Sequence, residues 1–345
     1  MFRRAFAALV VLAVAGLLFV LLWPQFFGLQ RTFGVAQLVS LRAVCIVVAV
    51  VAAVLSTVLA LLIRAGRRFL ASLAVMLLVF GALNTAVLAT RGFGSAGFQT
   101  ATESDVTVLS WNTLGDAPGV DAIADLVLRT SPDIVTLPET TKATADEVAR
   151  RAQAAGNPLI AYTIAFDQVS KARSTSLLIS QNLGSYVISD NSSNTAVLPS
   201  VVAVPTSGGP LIVAVHAVAP TSGNFADWRS DLAWIASQCG GADAIIAGDF
   251  NSTLDHFTGF DADVVADDGT VLASDTVLGH CRDAAAQSGN AAVGSWPTSI
   301  PPLLGTPIDH VLMTPDWRVT GFRVIQDQDG AGSDHRPILA QLTPG

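Results

Sequence analysis

Three long apolar runs without a charged residue open the chain. They extend from Ala5 to Trp23, from Ala43 to Ile63 and from Phe69 to Leu88. A helix that crosses a bilayer needs about 20 mostly apolar residues, so each run is long enough to span a membrane. We therefore predict a membrane anchor of three transmembrane helices within residues 1–90.

The first run has a second interpretation, as a signal peptide, because Arg3 and Arg4 precede it. A signal peptide ends at a small-residue cleavage pattern, whereas this run leads into Leu22-Trp23-Pro24-Gln25. Two further apolar runs follow, and an anchor accounts for all three, so the anchor interpretation is favoured.

Beyond the anchor the pattern of apolar positions changes twice. Residues 91–104 are rich in Gly, Ser and Thr and have no apolar period, which indicates a linker. From residue 105 to residue 345, short β-rich runs alternate with helical segments. This alternation is typical of one α/β domain.

Composition and charge separate the two parts of the chain further. The chain is 51% hydrophobic and 13% charged, with a mean hydropathy of +0.53, so part of it must lie in lipid. Residues 1–100 contain eight arginines and no Asp or Glu, whereas the remainder has 11 Lys and Arg against 27 Asp and Glu. Since nucleic-acid binding draws much of its affinity from cationic contacts to phosphates, this acidic domain is poorly suited to duplex DNA.

The arginines of the anchor predict its orientation. One side of the three spans would carry five, and these are Arg3, Arg4, Arg64, Arg67 and Arg68. The other side would carry three, and these are Arg31, Arg42 and Arg91. By the positive-inside bias, the N-terminus is predicted to be cytoplasmic. The chain is then a multi-pass protein of the cell membrane with an extracytoplasmic domain.

Three cysteines are present. Cys45 lies within an apolar run, whereas Cys239 and Cys281 lie in the acidic domain. A pair of cysteines on an oxidising side is more often bridged than free. Spacing alone does not show that their Cα atoms come within bonding reach, so the disulfide stays open at this point.

Residues able to bind a metal or transfer a proton follow or open nearly every β-rich run of the domain. They are Asn112, Glu139, His216, Asp249, Asn251, Asp309, Asp334 and His335. Strand ends gather at one rim of a sheet, so we expect a cleft holding four carboxylates, which would repel one another without a cation. Oxygen ligands with few histidines favour Mg²⁺ or Mn²⁺ over Zn²⁺.

The order of these residues resembles that of the endonuclease/exonuclease/phosphatase superfamily, which includes DNase I-like nucleases, sphingomyelinases and inositol phosphatases. The motifs that carry the resemblance are Trp111-Asn112, Pro138-Glu139, His216, Gly248-Asp249-Phe250-Asn251, Asp309-His310 and Ser333-Asp334-His335-Arg336-Pro337. The resemblance implies a DNase I-like four-layer sandwich with two sheets between helices. It also implies a metal-dependent hydrolase that acts on phosphate esters.

The resemblance further implies a metal-binding set and a proton-transfer pair. Glu139 would be the principal metal ligand, with Asn112 and Asp334 nearby. His335 is the candidate general base, and Asp309 would hold its imidazole in the tautomer that can accept a proton from water.

The remaining motif residues would handle the water and the phosphate. Asp249 and Asn251 would position the attacking water and contact a phosphoryl oxygen, and His216 would donate to the oxygen that gains charge in the transition state. Whether Asp249 or the histidine of the proton-transfer pair activates the water stays open. Arg173 and Arg336 are candidate phosphate contacts.

Features outside the motifs are predicted to have packing, surface or loop roles. Asn84, in the third apolar run, is predicted to be a helix-packing contact. His256 and His280 are predicted to be surface or packing residues. The Asp-rich run from Asp255 to Asp275 does not fit calcium-loop spacing and is predicted to be a solvated loop.

Three spans followed by this domain also resemble the teicoplanin-resistance membrane proteins of actinobacteria, for which the resemblance implies action on polyprenyl phosphates. An acidic domain tethered near the headgroup layer suits a lipid-linked phosphate, pyrophosphate or phosphodiester. The partner predicted is thus the lipid bilayer, with nucleic acid less favoured and no protein partner inferable. Two alternatives remain, an extracellular nuclease acting on DNA and a non-catalytic binding domain.

Overall fold

The computed structural model divides the chain into two compact units, Met1–Arg91 and Gly92–Gly345. The residues described are 2–94, 97–166, 168–189, 193–240, 243–260 and 276–345. Residues 261–275, most of the run predicted to be a solvated loop, lie outside the described residues. The described start of that run is buried at residues 255–257, so the prediction is wrong there.

The first unit is helical. Its helices are α1 (Phe2–Leu22), α2 (Val35–Ser40), α3 (Arg42–Leu62) and α4 (Arg67–Arg91). Three segments are long and apolar enough to cross a membrane, in agreement with the prediction, and these are Ala5–Leu22, Arg42–Leu62 and Arg64–Arg91.

Small residues and one polar contact join α3 to α4. The buried positions of α3 include Ala49, Ala53 and Ala60, which recur at helical spacing and let the helix backbones approach closely. Arg42 Nη1 donates to Asn84 Oδ1 at 2.5 Å. Asn84 is therefore a contact between helices, as predicted.

The second unit contains two sheets. The first has the order β12-β13-β1-β2-β4-β3, and the second has the order β5-β6-β7-β8-β11-β10-β9. The strands are β1 (Val106–Ser110), β2 (Ile134–Pro138), β3 (Leu159–Ala165), β4 (Ser174–Ser180), β5 (Tyr186–Ile188), β6 (Val201–Pro205), β7 (Leu211–His216), β8 (Ala244–Asp249), β9 (Val277–Leu278), β10 (Cys281–Asp283), β11 (Asp309–Met313), β12 (Trp317–Val324) and β13 (Ile338–Pro344).

Helices cover the outer face of each sheet, which confirms the four-layer sandwich. They are α5 (Gly119–Thr130), α6 (Lys142–Ala154), α7 (Phe225–Gln238) and α8 (Ala284–Gln287). On the first sheet, Ile123 and Val127 of α5 and Val148 of α6 share one buried apolar cluster with Leu109 and Val135 of the strands. Apolar helix faces buried against a sheet are the usual source of stability in this architecture.

The second unit begins within the predicted linker, at Gly92. Ala292 donates its N–H to Gly92 O at 3.0 Å, and Gly94 donates its own to Gly289 O at 3.1 Å. A Cβ on Gly92 would lie 2.1 Å from Gly289 O, so glycine is needed for this close approach. Glycine here serves packing within the second unit.

A disulfide between Cys239 and Cys281 joins the end of α7 to β10, with their Cα atoms 5.5 Å apart. The pairing that was left open by the sequence is therefore present. It closes a loop across 42 residues of sequence, a length for which loop-closure entropy gives roughly 4 kcal/mol of stabilisation. Cys45 is a free thiol in the first unit.

Candidate active site

Strand direction brings the predicted site residues to one edge of the sandwich. β1 is parallel to β2, and β7 is parallel to β8, so their C-terminal ends meet at that edge. The antiparallel strands β11 and β13 begin there, since Asp309 pairs with Asp249 and Ile338 pairs with Ser110. Residues that follow one set of strands therefore meet residues that precede the other.

Glu139 occupies a strained turn immediately after β2. Its φ is 57°, in the left-handed region that a residue other than glycine enters at a cost of about 1 kcal/mol. Thr113 Oγ1 and the Asp116 N–H both donate to its carbonyl, at 2.9 and 3.2 Å, and hold the turn. Asn112 Nδ2 donates to Glu139 Oε1 at 3.1 Å, and burial raises the pKa of this carboxyl.

Asp249 and Asn251 share a second tight turn, after β8. Asn251 has φ 46°, its N–H donates to Asp249 Oδ1 at 2.8 Å, and its Nδ2 donates to Asp249 Oδ2 at 3.1 Å. Asn112 Nδ2 also donates to Asp249 Oδ2, at 3.0 Å, and so joins this turn to Glu139. Gly248, at φ 148°, permits the close approach of β8 to β7, because a Cβ there would meet Val215 O at 2.0 Å.

His335 and Asp309 form a buried pair, with Nδ1 2.9 Å from Asp309 Oδ2. The other ring nitrogen, Nε2, lies 3.8 Å from Asp249 Oδ2. Burial alone would lower the pKa of His335, but the charges of Asp309 and Asp249 outweigh it and raise the pKa to about 10. Burial raises the pKa of Asp249 to about 7, although the charge of His335 opposes this. Without a cation, the proton therefore resides mainly on the imidazole.

His216 is fully buried at the end of β7, where its Nδ1 lies 3.1 Å from Thr175 Oγ1. Its Nε2 lies 3.9 Å from Glu139 Oε1 and has no hydrogen-bond partner among the described residues. Burial, with a smaller contribution from the charge of His335, lowers the pKa of His216 to about 3. The imidazole is therefore neutral, and its Nε2 is available to a ligand.

The oxygen atoms of the cleft fit a hard divalent cation. Asp334 Oδ2 accepts from Trp296 Nε1 at 2.9 Å, whereas Asp334 Oδ1 is buried and has no partner among the described residues. Glu139 offers a second carboxylate and Asn112 Oδ1 a neutral oxygen, although this oxygen accepts from the Leu114 N–H at 3.0 Å. A carboxylate-rich, oxygen-based donor set is typical of Mg²⁺ or Mn²⁺.

A different group, Asp249, Asp309 and His335, has its ligand atoms closest together, within 4.8 Å. In this group Asp309 Oδ2 and His335 Nδ1 are already bonded to each other. We regard this proximity as the signature of the proton-transfer pair beside Asp249, and retain Glu139, Asn112 and Asp334 as the set that would hold a cation.

One predicted contact is wrong. The Arg336 side chain is buried, and its guanidinium donates to the carbonyl of Pro297 at 3.0 Å, to that of Ile300 at 2.8 Å and to Asp329 Oδ2 at 2.8 Å. These contacts tie Arg336, two residues before β13, to the 297–300 loop and to Asp329, and they engage its guanidinium. Arg173 is exposed on the turn before β4 and stays a candidate phosphate contact.

The two remaining histidines behave as predicted. His256 is a buried packing residue, whose Nδ1 accepts from the Thr253 N–H at 2.9 Å and whose ring contacts Trp228. His280 is exposed.

Three side chains that support the site were missed in the sequence. Trp296 orients Asp334, Thr175 orients His216, and Ser333 Oγ donates to Asn112 O at 2.6 Å while accepting from the His335 N–H at 3.0 Å. Ser333 belongs to the motif Ser333-Asp334-His335-Arg336-Pro337, so its place beside the site could have been inferred from the sequence. The other two carry no local signal, because their partners are 38 and 41 residues away in sequence.

Comparisons with known proteins give one family match and a set of structures with a similar fold. The model of the Endonuclease/Exonuclease/phosphatase family matches residues 109–335. No curated protein matches the chain significantly.

Solved structures show a similar fold. D. rerio TDP2 complexed with single strand DNA product is 14% identical, with a TM-score of 0.50, over 70% of this chain and 100% of that one. The endonuclease/exonuclease/phosphatase from Beutenbergia cavernae DSM 12333 is 20% identical, with a TM-score of 0.48, over 70% and 72%. The corresponding protein of Bacteroides vulgatus is 14% identical, with a TM-score of 0.46, over 70% and 100%. At these identities, the likeness concerns the fold alone.

Replacing Glu139 with Gln is expected to weaken Mg²⁺ and Mn²⁺ binding by about tenfold or more, because it removes one negative charge from the oxygen set. Isothermal titration of each metal into the purified protein measures this. Glu147→Gln is the matched control, since Glu147 lies on α6 and pairs with Arg150 and Arg151. Equal affinities for wild type and the Glu139 variant would remove Glu139 from the metal site.

Proposed function

The chain belongs to the Endonuclease/Exonuclease/phosphatase family, and we propose that it is a membrane-anchored phosphoesterase whose catalytic domain lies outside the cell. We propose further that it hydrolyses a lipid-linked phosphate, pyrophosphate or phosphodiester. The observation that carries the proposal is the division of the chain into three apolar helices without acidic residues and an acidic catalytic unit.

Members of this family are hydrolases that act on phosphoester bonds, and the cleft supports the same reaction class here. The proposed metal set, the proton-transfer pair and His216 converge on one edge of the sandwich. A non-catalytic binding domain would have no need of a buried His335–Asp309 pair beside a second carboxylate, that of Asp249. The complete set therefore favours catalysis over the binding-domain alternative.

In this proposal, Glu139, Asn112 and Asp334 hold Mg²⁺ or Mn²⁺. A bound divalent cation would offset the repulsion among the carboxylates and withdraw charge from the phosphoryl oxygens. His216 Nε2, neutral and without a described partner, donates to a phosphoryl oxygen as charge develops there. The Asn251 carboxamide lies beside Asp249 and helps to align the attacking water.

The proton of the attacking water passes to Asp249 or to His335. The charges of Asp309 and Asp249 keep His335 protonated in the absence of a cation, which favours Asp249 as the base. A cation beside Glu139 and Asp334 would lower the pKa of His335 and so favour the neutral imidazole, which is the form that can accept a proton. In either arrangement, Asp309 fixes the imidazole through the 2.9 Å contact at Nδ1.

Two independent observations support the extracytoplasmic location. Five arginines fall on one predicted side of the spans and three on the other, and the positive-inside bias assigns the richer side to the cytoplasm. The Cys239–Cys281 disulfide adds a chemical argument, because disulfides form and persist in oxidising compartments.

The substrate class follows from charge and confinement. The second unit begins at Gly92, directly after the last residue of α4, so the proposed anchor and the catalytic domain are parts of one chain. Confinement raises the effective concentration of a phosphate carried by a lipid. The excess of acidic residues opposes a soluble polyanion such as DNA.

Replacing His335 with Ala is expected to lower kcat by a factor on the order of 10² to 10⁴, because a group that exchanges a proton with the reacting atoms is lost. The pH dependence of kcat/KM on a chromogenic phosphodiester then assigns the base. Since the pKa of Asp249 is raised, a carboxylate base gains activity as pH rises towards and through about 7. If this ascending limb persists in the variant, Asp249 is the base. If the ascending limb is lost in the variant, His335 is the base. Near-normal turnover of the variant would exclude His335 from proton transfer.

Alkaline phosphatase fused after Gly345 is expected to be active in cells, because the enzyme folds only on the oxidising side of the membrane. The matched control is a fusion after Arg64, in the loop predicted to be cytoplasmic, which should be inactive. Activity from the Arg64 fusion alone would reverse the proposed topology.

Release of the catalytic unit from the membrane tests the substrate class. The cut must precede Gly92, since the residues that follow are bonded to the domain. Full-length protein in vesicles containing a polyprenyl phosphate is compared with the released unit on the same vesicles and on a soluble short-chain analogue. Release should lower hydrolysis of the vesicle lipid by about tenfold or more, because confinement is lost, and should change hydrolysis of the analogue less than twofold.

The His335→Ala variant, in both forms, controls for a contaminating phosphatase. A nuclease would behave in the opposite way, cutting plasmid DNA equally well after release and losing activity steeply as salt screens its phosphate contacts. Efficient plasmid cleavage, with every lipid phosphate, pyrophosphate and phosphodiester untouched under either metal, would replace the lipid proposal with the nuclease alternative.

A further inference from the structure

The turn that carries Asp249 and Asn251 is held from outside the cleft by two side chains. Trp228 Nε1 donates to Asn251 O at 3.0 Å, and His310 Nε2 donates to Ser252 O at 2.9 Å. These are consecutive carbonyl groups, and the first belongs to a residue with φ 46°. Two donors therefore hold the backbone at a left-handed residue, Asn251, and at the residue after it.

His310 lies on the face of β11 opposite to Asp309, because successive strand residues point to opposite sides. Its buried ring packs against Phe250 and Phe257. Its Nδ1 lies 2.7 Å from Asp283 Oδ2, and Asp283 Oδ1 accepts from the Ala286 N–H at 2.7 Å to cap α8. Both ring nitrogens are thus engaged, and the orientation that serves Ser252 is fixed.

Trp228 reaches the same turn from α7. Its side chain is fully buried and contacts the rings of Phe225 and His256. Trp228 lies on the helix α7, whereas His310 lies on β11, a strand of the second sheet. The two donors therefore come from separate elements. Neither side chain is among the residues proposed to touch substrate or metal.

We propose that Trp228 and His310 are positioning residues for phosphoester hydrolysis, which hold the Asn251–Ser252 backbone so that Asn251 and Asp249 keep their aim into the cleft. This inference rests on the proposed function, since it assigns the two residues a role in the same reaction. Loss of either donor leaves a buried carbonyl without its partner and relieves the constraint on Asn251. A displacement of about 1 Å in such a turn lowers turnover far more than it lowers substrate binding.

The first test compares two tryptophan variants that lose the same indole donor. Trp228→Phe removes the indole contact to the Asn251 carbonyl. Trp317→Phe removes an indole contact to a carboxylate, from Trp317 Nε1 to Asp243 Oδ1 at 2.6 Å, on a strand outside the cleft. With the full-length protein and a chromogenic phosphodiester, Trp228→Phe should lower kcat about tenfold with KM changed less than twofold. Trp317→Phe should leave both constants unchanged, at a comparable loss of Tm.

The second test asks whether Trp228 acts through the turn. In the Asn251→Ala background, Trp228→Phe should lower kcat by less than twofold, because the carboxamide that it positions is already absent. His310→Phe with Asp283→Asn, which removes the donor without leaving an unpaired carboxylate, should reproduce the loss of kcat seen for Trp228→Phe. A merely structural role would instead give effects that multiply with that of Asn251→Ala.

The outcomes separate this inference from the proposed function. If Trp228→Phe matches Trp317→Phe in kcat, or multiplies fully with Asn251→Ala, the positioning role is overturned while the active site stands. If Asn251→Ala and Asp249→Asn both keep wild-type turnover, the proposed active site fails, and the positioning role fails with it.

Discussion

Repulsion among four carboxylates in one buried cleft is the constraint to which the rest of the site responds. Glu139, Asp249, Asp309 and Asp334 converge at the edge of the sandwich, where loss of water makes each negative charge costly. Burial raises the pKa of Asp249 to about 7, and the charge of His335 offsets only part of that cost. A divalent cation, on which enzymes of this family generally depend, would supply the remaining compensation.

The fold meets this demand with strained turns on a rigid frame. Glu139 and Asn251 both adopt left-handed conformations directly after buried strands, at a cost of order 1 kcal/mol each or somewhat more. Hydrogen bonds from neighbouring loops and helices hold both turns, as Thr113 does for the Glu139 carbonyl and Trp228 does for that of Asn251. The positions of the Glu139 and Asn251 side chains in the cleft therefore depend on residues of other elements, which hold the two turns.

Sequence order predicted the cleft because each motif sits at the end or the start of a strand, where local pattern and position in the fold coincide. The membrane helices were predicted for a similar reason, since length and composition suffice. Prediction failed where the outcome depends on packing at long range. Arg336 follows His335 in sequence, yet its guanidinium is bonded to the 297–300 loop. The close approach of Gly92 to Gly289, which the lack of a Cβ allows, likewise depends on residues far apart in sequence.

The division of charge connects this chemistry to the membrane. A basic, apolar first unit and an acidic second unit are suited to different surroundings, and the chain passes from one to the other at Arg91 and Gly92. The acidic residues of the second unit weaken the approach of soluble polyanions, while in the proposed function the anchor brings a phosphate on a lipid within reach. In the proposed function, charge and tethering favour the same substrate class, although each acts through a different physical effect.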